Sequence, residues 1–196
     1  NNRTRYSSPV QVPGTTWNTI LCAHSCTFAT KTDNTLWTWG KSRWGATGLN
    51  QPNNYSISSP TQIPGTTWNG QFWVAYSAVG AIKTDGTLWT WGNNYRGGLG
   101  INSDSGSPDE NGISSPTQVG TDTTWLRGSG KGYGMTSIKT DGTLWIWGSN
   151  AYGVLGLNVG GAPDSSNTRS SPCQIPGTNW QQVQTQGGAV LAQRSS

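Results

Sequence analysis

A repeated segment runs along the 196-residue chain, and it restricts the fold more than any other feature of the sequence. Each copy begins with Ser-Ser-Pro, at positions 7, 58, 114 and 170, and continues with a Trp at 17, 68, 125 and 180. A repeat of this length is one supersecondary unit that cannot bury its apolar faces alone, so its neighbours must stack on it. We therefore predict a single domain or domain fragment over 1–196, with units at approximately 7–57, 58–113, 114–169 and an incomplete unit at 170–196.

Each unit has the pattern of short β-strands. Leu-Trp-x-Trp-Gly ends at Gly40, Gly92 and Gly148, and the two Trp side chains of each copy fall on one face of a strand. Asp85-Gly86 just before it predicts a tight hairpin turn, because this dipeptide accepts positive φ. No segment has the periodicity of an amphipathic helix. The pattern predicts an all-β fold of propeller-type blades, each with four antiparallel strands: three full repeats and an incomplete fourth.

A family resemblance rests on the residues that follow the paired Trp. Leu-Trp-Thr-Trp-Gly-Asn-Asn-Tyr-Arg-Gly-Gly-Leu-Gly at 88–100 resembles the signature of the regulator of chromosome condensation repeat family, and 144–156 matches in the same way. The first unit departs from it with Ser42 and Thr47. The resemblance implies a β-propeller. Such regular, Trp-rich, charge-poor copies also resemble those of bacterial and phage surface proteins.

The family commonly has a His in the strand before the hairpin, and this chain departs from the family there. By register the positions are Cys26, Ala78 and Gly134. Roles of family side chains in that strand are therefore not carried over.

Charge and hydropathy exclude two classes of partner. Charged residues make up only 10% of the chain, and the net charge of +4 comes from scattered basic residues. A nucleic-acid-binding protein usually gathers such residues on one face, so we predict no nucleic-acid partner. No apolar run is long enough for a transmembrane helix, so we predict no membrane insertion.

The residue types that usually carry catalysis are sparse or have another explanation. His24 is the only His, which leaves no Ser-His-acid set, and we interpret it as a local packing residue. The Asp of each repeat is better explained as a turn former than as an acid; these are Asp33, Asp85 and Asp141. We expect no enzyme activity, no catalytic residue and no cofactor.

Two groups of residues suggest metal ligands without matching a metal site. Cys22, His24 and Cys26 lack the second ligand pair that zinc sites usually have. The inserted loop with Asp104, Asp109 and Glu110 does not have the spacing of a calcium loop and is better interpreted as solvated. We expect no metal. Cys22 and Cys26 are either free thiols or a hairpin disulfide.

Aromatic residues near the turns are the candidates for contact with a partner. Trp44, Tyr95 and Tyr152 lie close to the Gly-rich turn after the Trp-x-Trp-Gly strand, and Trp73 lies outside the repeat pattern. Rings in loops are suited to protein or glycan contacts. The alternative is that they cover neighbouring blades.

Together these features predict a non-catalytic binding or structural module. Its partner would be a protein or a cell-surface glycan, and its setting extracellular or on a virion surface, as an adhesin or tail-type protein. Unpaired blade edges would allow copies to associate with one another. The alternative function is an intracellular regulator of a small GTPase, or of another protein, that acts through a propeller face.

Overall fold

Fourteen strands form four sheets in a computed structural model that describes residues 7–105, 112–158, 167–186 and 189–195. Blade 1 contains β1 (Trp17–Cys22), β2 (Cys26–Lys31), β3 (Leu36–Ser42) and β4 (Tyr55–Gln62). Blade 2 contains β5 (Trp68–Ala75), β6 (Ala78–Lys83), β7 (Leu88–Gly92) and β8 (Ile113–Gln118). Blade 3 contains β9 (Trp125–Lys131), β10 (Gly134–Lys139), β11 (Leu144–Gly148) and β12 (Arg169–Ile175). Blade 4 contains β13 (Trp180–Gln186) and β14 (Ala189–Arg194).

The predicted blade architecture is confirmed. In blades 1–3 the strands are antiparallel and follow chain order across the sheet. The first strands of successive blades, β1, β5, β9 and β13, lie next to one another, so the fourth strands lie furthest from this contact. Among the residues that the structure describes, no helix is long and apolar enough to cross a membrane.

The Ser-Ser-Pro segments belong to the sheet of the preceding repeat. Ser58 lies in β4, Ser114 in β8 and Ser170 in β12, and each of these strands closes the blade that precedes it in the chain. The segment 7–12 is exposed and contains no strand. A repeat that begins at Ser-Ser-Pro is therefore one strand out of phase with the sheet.

In each complete blade the connection between the second and third strands contains a three-residue loop, which in blade 2 is closed by the Lys83 amide donating to the Thr87 carbonyl at 3.0 Å. In blade 2 the Gly86 amide donates to the Lys83 carbonyl at 2.9 Å, and Gly86 has φ of 78°. Asn34 takes the same position in blade 1 with φ of 61°. Only this last loop residue has positive φ, as in a type I turn followed by a left-handed residue, rather than the two-residue turn that Asp-Gly most often indicates.

The repeated Asp fixes this loop and a neighbouring Trp. Asp85 Oδ1 accepts from the Thr87 amide at 3.0 Å and from its hydroxyl at 2.6 Å. The Thr87 hydroxyl in turn accepts from Trp89 Nε1 at 2.8 Å. These bonds hold the pKa of Asp85 below its usual value, chiefly through the Thr87 hydroxyl. The same chain of bonds recurs in blades 1 and 3, so the Asp has a structural role there.

The core lies in the seams between blades, where the second Trp of the third strand is buried in blades 2 and 3. Trp91 is fully buried between blades 1 and 2, and Trp147 between blades 2 and 3. Their counterpart Trp39, on the open side of blade 1, is only half-buried. The high Trp content therefore fills the seams of the repeat.

Candidate functional site

A single 3₁₀ turn follows the third strand of each complete blade: Arg43–Gly45, Tyr95–Gly97 and Ala151–Gly153. Asn94 fixes the second turn by accepting the Leu99 amide on Oδ1 at 3.1 Å. In blade 1, Ser42 and Thr47 stand at these two positions, and the Thr47 hydroxyl donates to the Ser42 hydroxyl at 2.8 Å. The two departures from the repeat signature therefore compensate for each other.

Each 3₁₀ turn holds a large side chain on a left-handed backbone. Trp44 has φ of 51°, Arg96 of 58° and Tyr152 of 61°. For residues other than Gly and Asn this conformation costs about 1–3 kcal/mol, and it persists only where the surroundings enforce it. Such residues cluster at binding sites more often than elsewhere in proteins.

Side chains from three blades form a continuous row of rings, which we call the aromatic face; its members are His24, Trp44, Tyr76, Tyr95 and Tyr133. Tyr76 lies in the middle, with its ring centroid 5.8 Å from His24, 5.6 Å from Trp44 and 5.4 Å from Tyr133. Tyr95 meets the ring of Tyr133 edge-on at 4.9 Å. These spacings are those of favourable aromatic pairs.

Two guanidinium groups accompany the rings. Arg43 lies over Trp44 with its Cζ 3.9 Å from the ring centroid, and Arg96 lies 5.1 Å from Tyr95. Arg96 also donates from Nη1 to the Ser149 hydroxyl at 3.0 Å. Burial raises the pKa of Tyr133, as do the neighbouring Tyr76 and Tyr95, while the two arginines act in the opposite direction. The face therefore combines phenol groups with the positive charge of two arginines.

Three of the four predicted contact residues lie in the 3₁₀ turns after the third strands. Trp44 and Tyr95 belong to the aromatic face, although Trp44 is buried under Tyr76 and Arg43. Tyr152 is 83% exposed, which leaves most of its ring open to a partner. The prediction of partner contacts at these residues stays a prediction.

The structure places the fourth candidate, Trp73, in the core instead of on a surface. It is only 5% exposed and belongs to the apolar cluster between blades 2 and 3. Glycines at 80 and 128 make room for it: a Cβ at either would lie 2.5 Å or less from the indole. Trp73 is thus an extra core ring, since the small residues beside it let the indole fill the seam.

Tyr76 and Tyr133 are the functional candidates that sequence reasoning missed. Both lie in the short turns that join the first and second strands, outside the repeated motif. The sequence signal that could have identified them as candidates is an aromatic residue in a tight turn between two strands. His24, expected to be a local packing residue, packs against Tyr76.

The three cysteines form no disulfide bond in this structure. Cys22 is exposed, Cys26 is buried, and both are free, as is Cys173. Burial raises the pKa of Cys26 to about 12. Within the described ranges no three His, Cys, Asp or Glu side chains gather into a group that could hold a metal ion. Asp109 and Glu110 lie outside those ranges.

A known sequence family matches part of the repeated sequence. The sequence model of the regulator of chromosome condensation (RCC1) repeat matches residues 85–127 and 141–186. Two segments of the chain are thus similar to the RCC1 repeat. Each match begins in the hairpin turn before the Trp-x-Trp-Gly strand, so it covers the motif on which the resemblance rests. No curated protein matches the chain in sequence.

Solved structures share the fold of this chain. Prp20p from Saccharomyces cerevisiae, described with its binding to Gsp1p and histones, has a TM-score of 0.73 at 16% identity over 86% of this chain. A structure of Kap60 bound to yeast RCC1 (Prp20) has a TM-score of 0.74 at 18% identity over 90%. Human WBSCR16 has a TM-score of 0.66 at 19% identity over 86%. The chain spans 41 to 43% of the length of these solved chains.

Proposed function

We propose that this chain is a non-catalytic protein-binding module that contacts its partner through the aromatic face and Tyr152. The observation that carries the proposal is the row of rings from His24 to Tyr95, which crosses three blades. Three separate blades thus contribute to one surface. The arginines at 43 and 96 add donors beside these rings.

The composition of this face suits a protein partner. Tyr, Trp and Arg are enriched among the residues that carry most of the binding energy at protein interfaces, and Tyr and Trp bury large areas while losing little side-chain entropy. The contacts of Tyr76 and Arg43 already hold these side chains in place, which lowers the cost of ordering them on binding.

The solved relatives support a protein partner over a glycan. Prp20p is described as binding Gsp1p and histones, and yeast RCC1 as bound to Kap60. These descriptions favour the regulator of a GTPase as a second candidate function for this chain. An extracellular or virion setting, a glycan partner and self-association through blade edges stay predictions.

Direct binding of purified proteins tests the main proposal. Gsp1p, histones and a glycan array are presented to the chain, and affinities are measured by surface plasmon resonance. We expect binding to a protein probe, weakened about 10- to 30-fold by Tyr133→Ala, since central aromatic anchors contribute roughly 2 kcal/mol.

Tyr55 offers a matched control, because it is exposed but lies in β4, outside the aromatic face. Tyr55→Ala should bind as the wild-type chain does. Equal loss in both variants, or binding to glycans alone, would contradict the proposal. Failure of both protein probes to bind would contradict it too.

The GTPase alternative has its own measurement. Release of a fluorescent guanine nucleotide from Gsp1p is followed with and without the chain. Accelerated release that Tyr133→Ala abolishes would support regulation. Binding without acceleration would reject regulation and leave the binding proposal intact.

A further inference from the structure

The first strand of blade 2 bulges away from its partner strand near its start. The pairing of β5 with β6 is interrupted between Trp68 and Phe72, and residues 69–71 lie opposite Ile82 alone. A bulge leaves its extra residues outside the hydrogen-bonded ladder of the sheet. The segment Asn-Gly-Gln at 69–71 is therefore not held by the regular pairing that fixes the rest of β5.

One additional residue explains the size of this bulge. Trp68 and Lys83 are one position further apart in the chain than Trp125 and Lys139, although each of these pairs lies directly opposite across its sheet. The extra residue must therefore be accommodated between the paired ends. Gly70, with φ of 84°, provides the bend, because a residue without a Cβ adopts this backbone conformation at no steric cost.

The bulge leaves open space around the peptide bond between Asn69 and Gly70. The Asn69 side chain is exposed. A Cβ placed on Gly70 would meet no heavy atom within 4 Å. A side chain at position 70 would stand next to the backbone nitrogen of that residue, and glycine has none. The nitrogen of Gly70 can therefore be approached by a group from its own chain.

The carboxamide of Asn69 is already folded towards this nitrogen. Its Oδ1 accepts a hydrogen bond from the Gln71 amide at 2.9 Å, which is the local side-chain contact of an Asx turn. Because Gly70 lies between the two residues that this bond joins, the bond brings Cγ of Asn69 near the intervening peptide nitrogen. A donor on Oδ1 also stabilises the negative charge that forms on this oxygen when a nucleophile adds to Cγ.

We propose that Asn69 is a site of spontaneous deamidation. The Gly70 nitrogen adds to Cγ of Asn69, and its proton passes through solvent to the side-chain nitrogen, which leaves as ammonia. The chain then contains a five-membered succinimide ring at 69–70. Water opens this ring at one of its two carbonyl groups and leaves aspartate or isoaspartate at position 69. Water is the only co-reactant, and no group is oxidised or reduced.

The bulge can also accommodate the product. Isoaspartate adds one carbon to the backbone, which in a regular ladder would displace the pairs on one side of it. Residues 69–71 already lie opposite a single residue of β6, so no regular pair is displaced there. The open space around Gly70 has room for the longer backbone. We therefore expect the fold to persist after conversion.

Conversion places a negative charge on a set of strands that has none. The first strands of the four blades, β1, β5, β9 and β13, contain no acidic residue. The new carboxyl group is ionised at neutral pH and lowers the net charge of +4 by one. Asn69 lies near the start of β5, whereas Tyr76 of the aromatic face follows its end. The site is thus separate from the function proposed above.

Incubation of the full chain at neutral pH and body temperature tests the proposal. Trypsin releases residues 44–83 as one peptide, and tandem mass spectrometry locates the gain of mass that replacement of NH₂ by OH produces. The other Asn-Gly pair, at 111–112, lies in a different tryptic peptide. An isoaspartyl methyltransferase with a labelled methyl donor measures the isoaspartate. We expect conversion at position 69 at least as fast as in the synthetic peptide of residues 66–73, because the turn holds the reacting groups together.

Two variants provide matched controls. Gly70→Ala puts a methyl group beside the attacking nitrogen, so we expect conversion at least about tenfold slower than in the wild-type chain. Asn69→Asp is the direct product and should shift the thermal midpoint by less than about 4 °C. Thermal denaturation also shows whether Gly70→Ala is folded. If it is not, the comparison between the wild-type chain and the peptide still decides.

Several results would overturn the proposal. They are the absence of conversion at position 69 in the folded chain, a rate there more than about tenfold below that of the peptide, and equal rates in the wild-type chain and a folded Gly70→Ala variant. Loss of the circular dichroism signal in step with conversion would show that the bulge does not accommodate the product.

Discussion

The indole of Trp147 in blade 3 donates a hydrogen bond to the carbonyl of Gly98 in blade 2, with 3.1 Å between Nε1 and the oxygen. This bond is buried and joins residues 49 positions apart in the chain. The bond therefore couples the stability of blade 3 to its packing against blade 2.

Replacement of this donor should destabilise the fold. Trp147→Phe leaves the Gly98 carbonyl buried without its partner, so we expect the free energy of unfolding to fall by about 2 kcal/mol. Urea denaturation followed by far-ultraviolet circular dichroism measures the change. Trp39→Phe, at the half-buried equivalent on the open side of blade 1, should cost less than about 1 kcal/mol. Equal losses in the two variants would contradict the seam interpretation.

The hairpin of blade 2 should not tolerate a side chain at Gly86. A Cβ there would overlap the Thr123 carbonyl oxygen, and the backbone has φ of 78°. Since strain and overlap add, we expect Gly86→Ala to lower the free energy of unfolding by more than about 2 kcal/mol. Gly120→Ala shares the strain without the overlap and should cost only about 1 kcal/mol, as measured by thermal denaturation. A smaller loss at position 86 than at 120 would be inconsistent with the close approach of this turn to blade 3.

Acid should weaken the fold through Asp122. Burial acts to raise the pKa of this carboxyl, but Lys139, with Nζ 2.6 Å from Oδ2, and Thr124 outweigh it and lower the pKa to about 2. The folded pKa lies below the unfolded value near 3.9, so its stabilisation is complete above about pH 4 and is lost as pH falls towards 2.

The expected contribution is on the order of 1 kcal/mol, because the carboxylate is 36% exposed and partly screened. Urea midpoints at about pH 6 and pH 3 measure it for the wild-type chain and for Asp122→Asn. The variant should show a smaller fall with acid. Identical falls in both would assign the acid sensitivity to other carboxylates, such as Asp85.

Trp73 and Tyr152, both predicted from the sequence to contact a partner, should differ strongly in their contribution to stability. Trp73→Ala removes a buried indole from the seam between blades 2 and 3, so we expect a loss of about 3–5 kcal/mol in the free energy of unfolding. Tyr152→Ala should change stability by less than about 0.5 kcal/mol, because its ring is 83% exposed. Differential scanning calorimetry separates the two. A stable Trp73→Ala variant would contradict the assignment of this ring to the core.

Local chemistry explains which features were predictable from the sequence. The hairpin follows from Asp85-Gly86, and the burial of Trp91 follows from the alternation of its strand. Both depend on residues close in the chain. The pairing of β4 with β3, by contrast, places the Ser-Ser-Pro segment at 58–60 in the sheet of the preceding repeat. This could not be predicted, because a periodic sequence does not show at which residue of the repeat each sheet begins.

The candidate site was less predictable, because it depends on how blades stack. Tyr76 and Tyr133 meet at 5.4 Å only because adjacent blades bring their turns together. Trp73 has the sequence context of a surface ring, but Gly128 on the next blade opens the space that receives it. The spacing of residues within one repeat does not indicate such contacts between side chains of different repeats.

The offset between the repeat and the sheet has a consequence for how such a chain can lengthen. A unit that begins at Ser-Ser-Pro supplies the outer strand of one blade and the first three strands of the next. Duplication of one unit would therefore complete a sheet and start another in the same event, whichever unit was copied. The last blade would have the same incomplete set of strands after each duplication. Gene duplication could then change the number of blades without creating a new kind of interface.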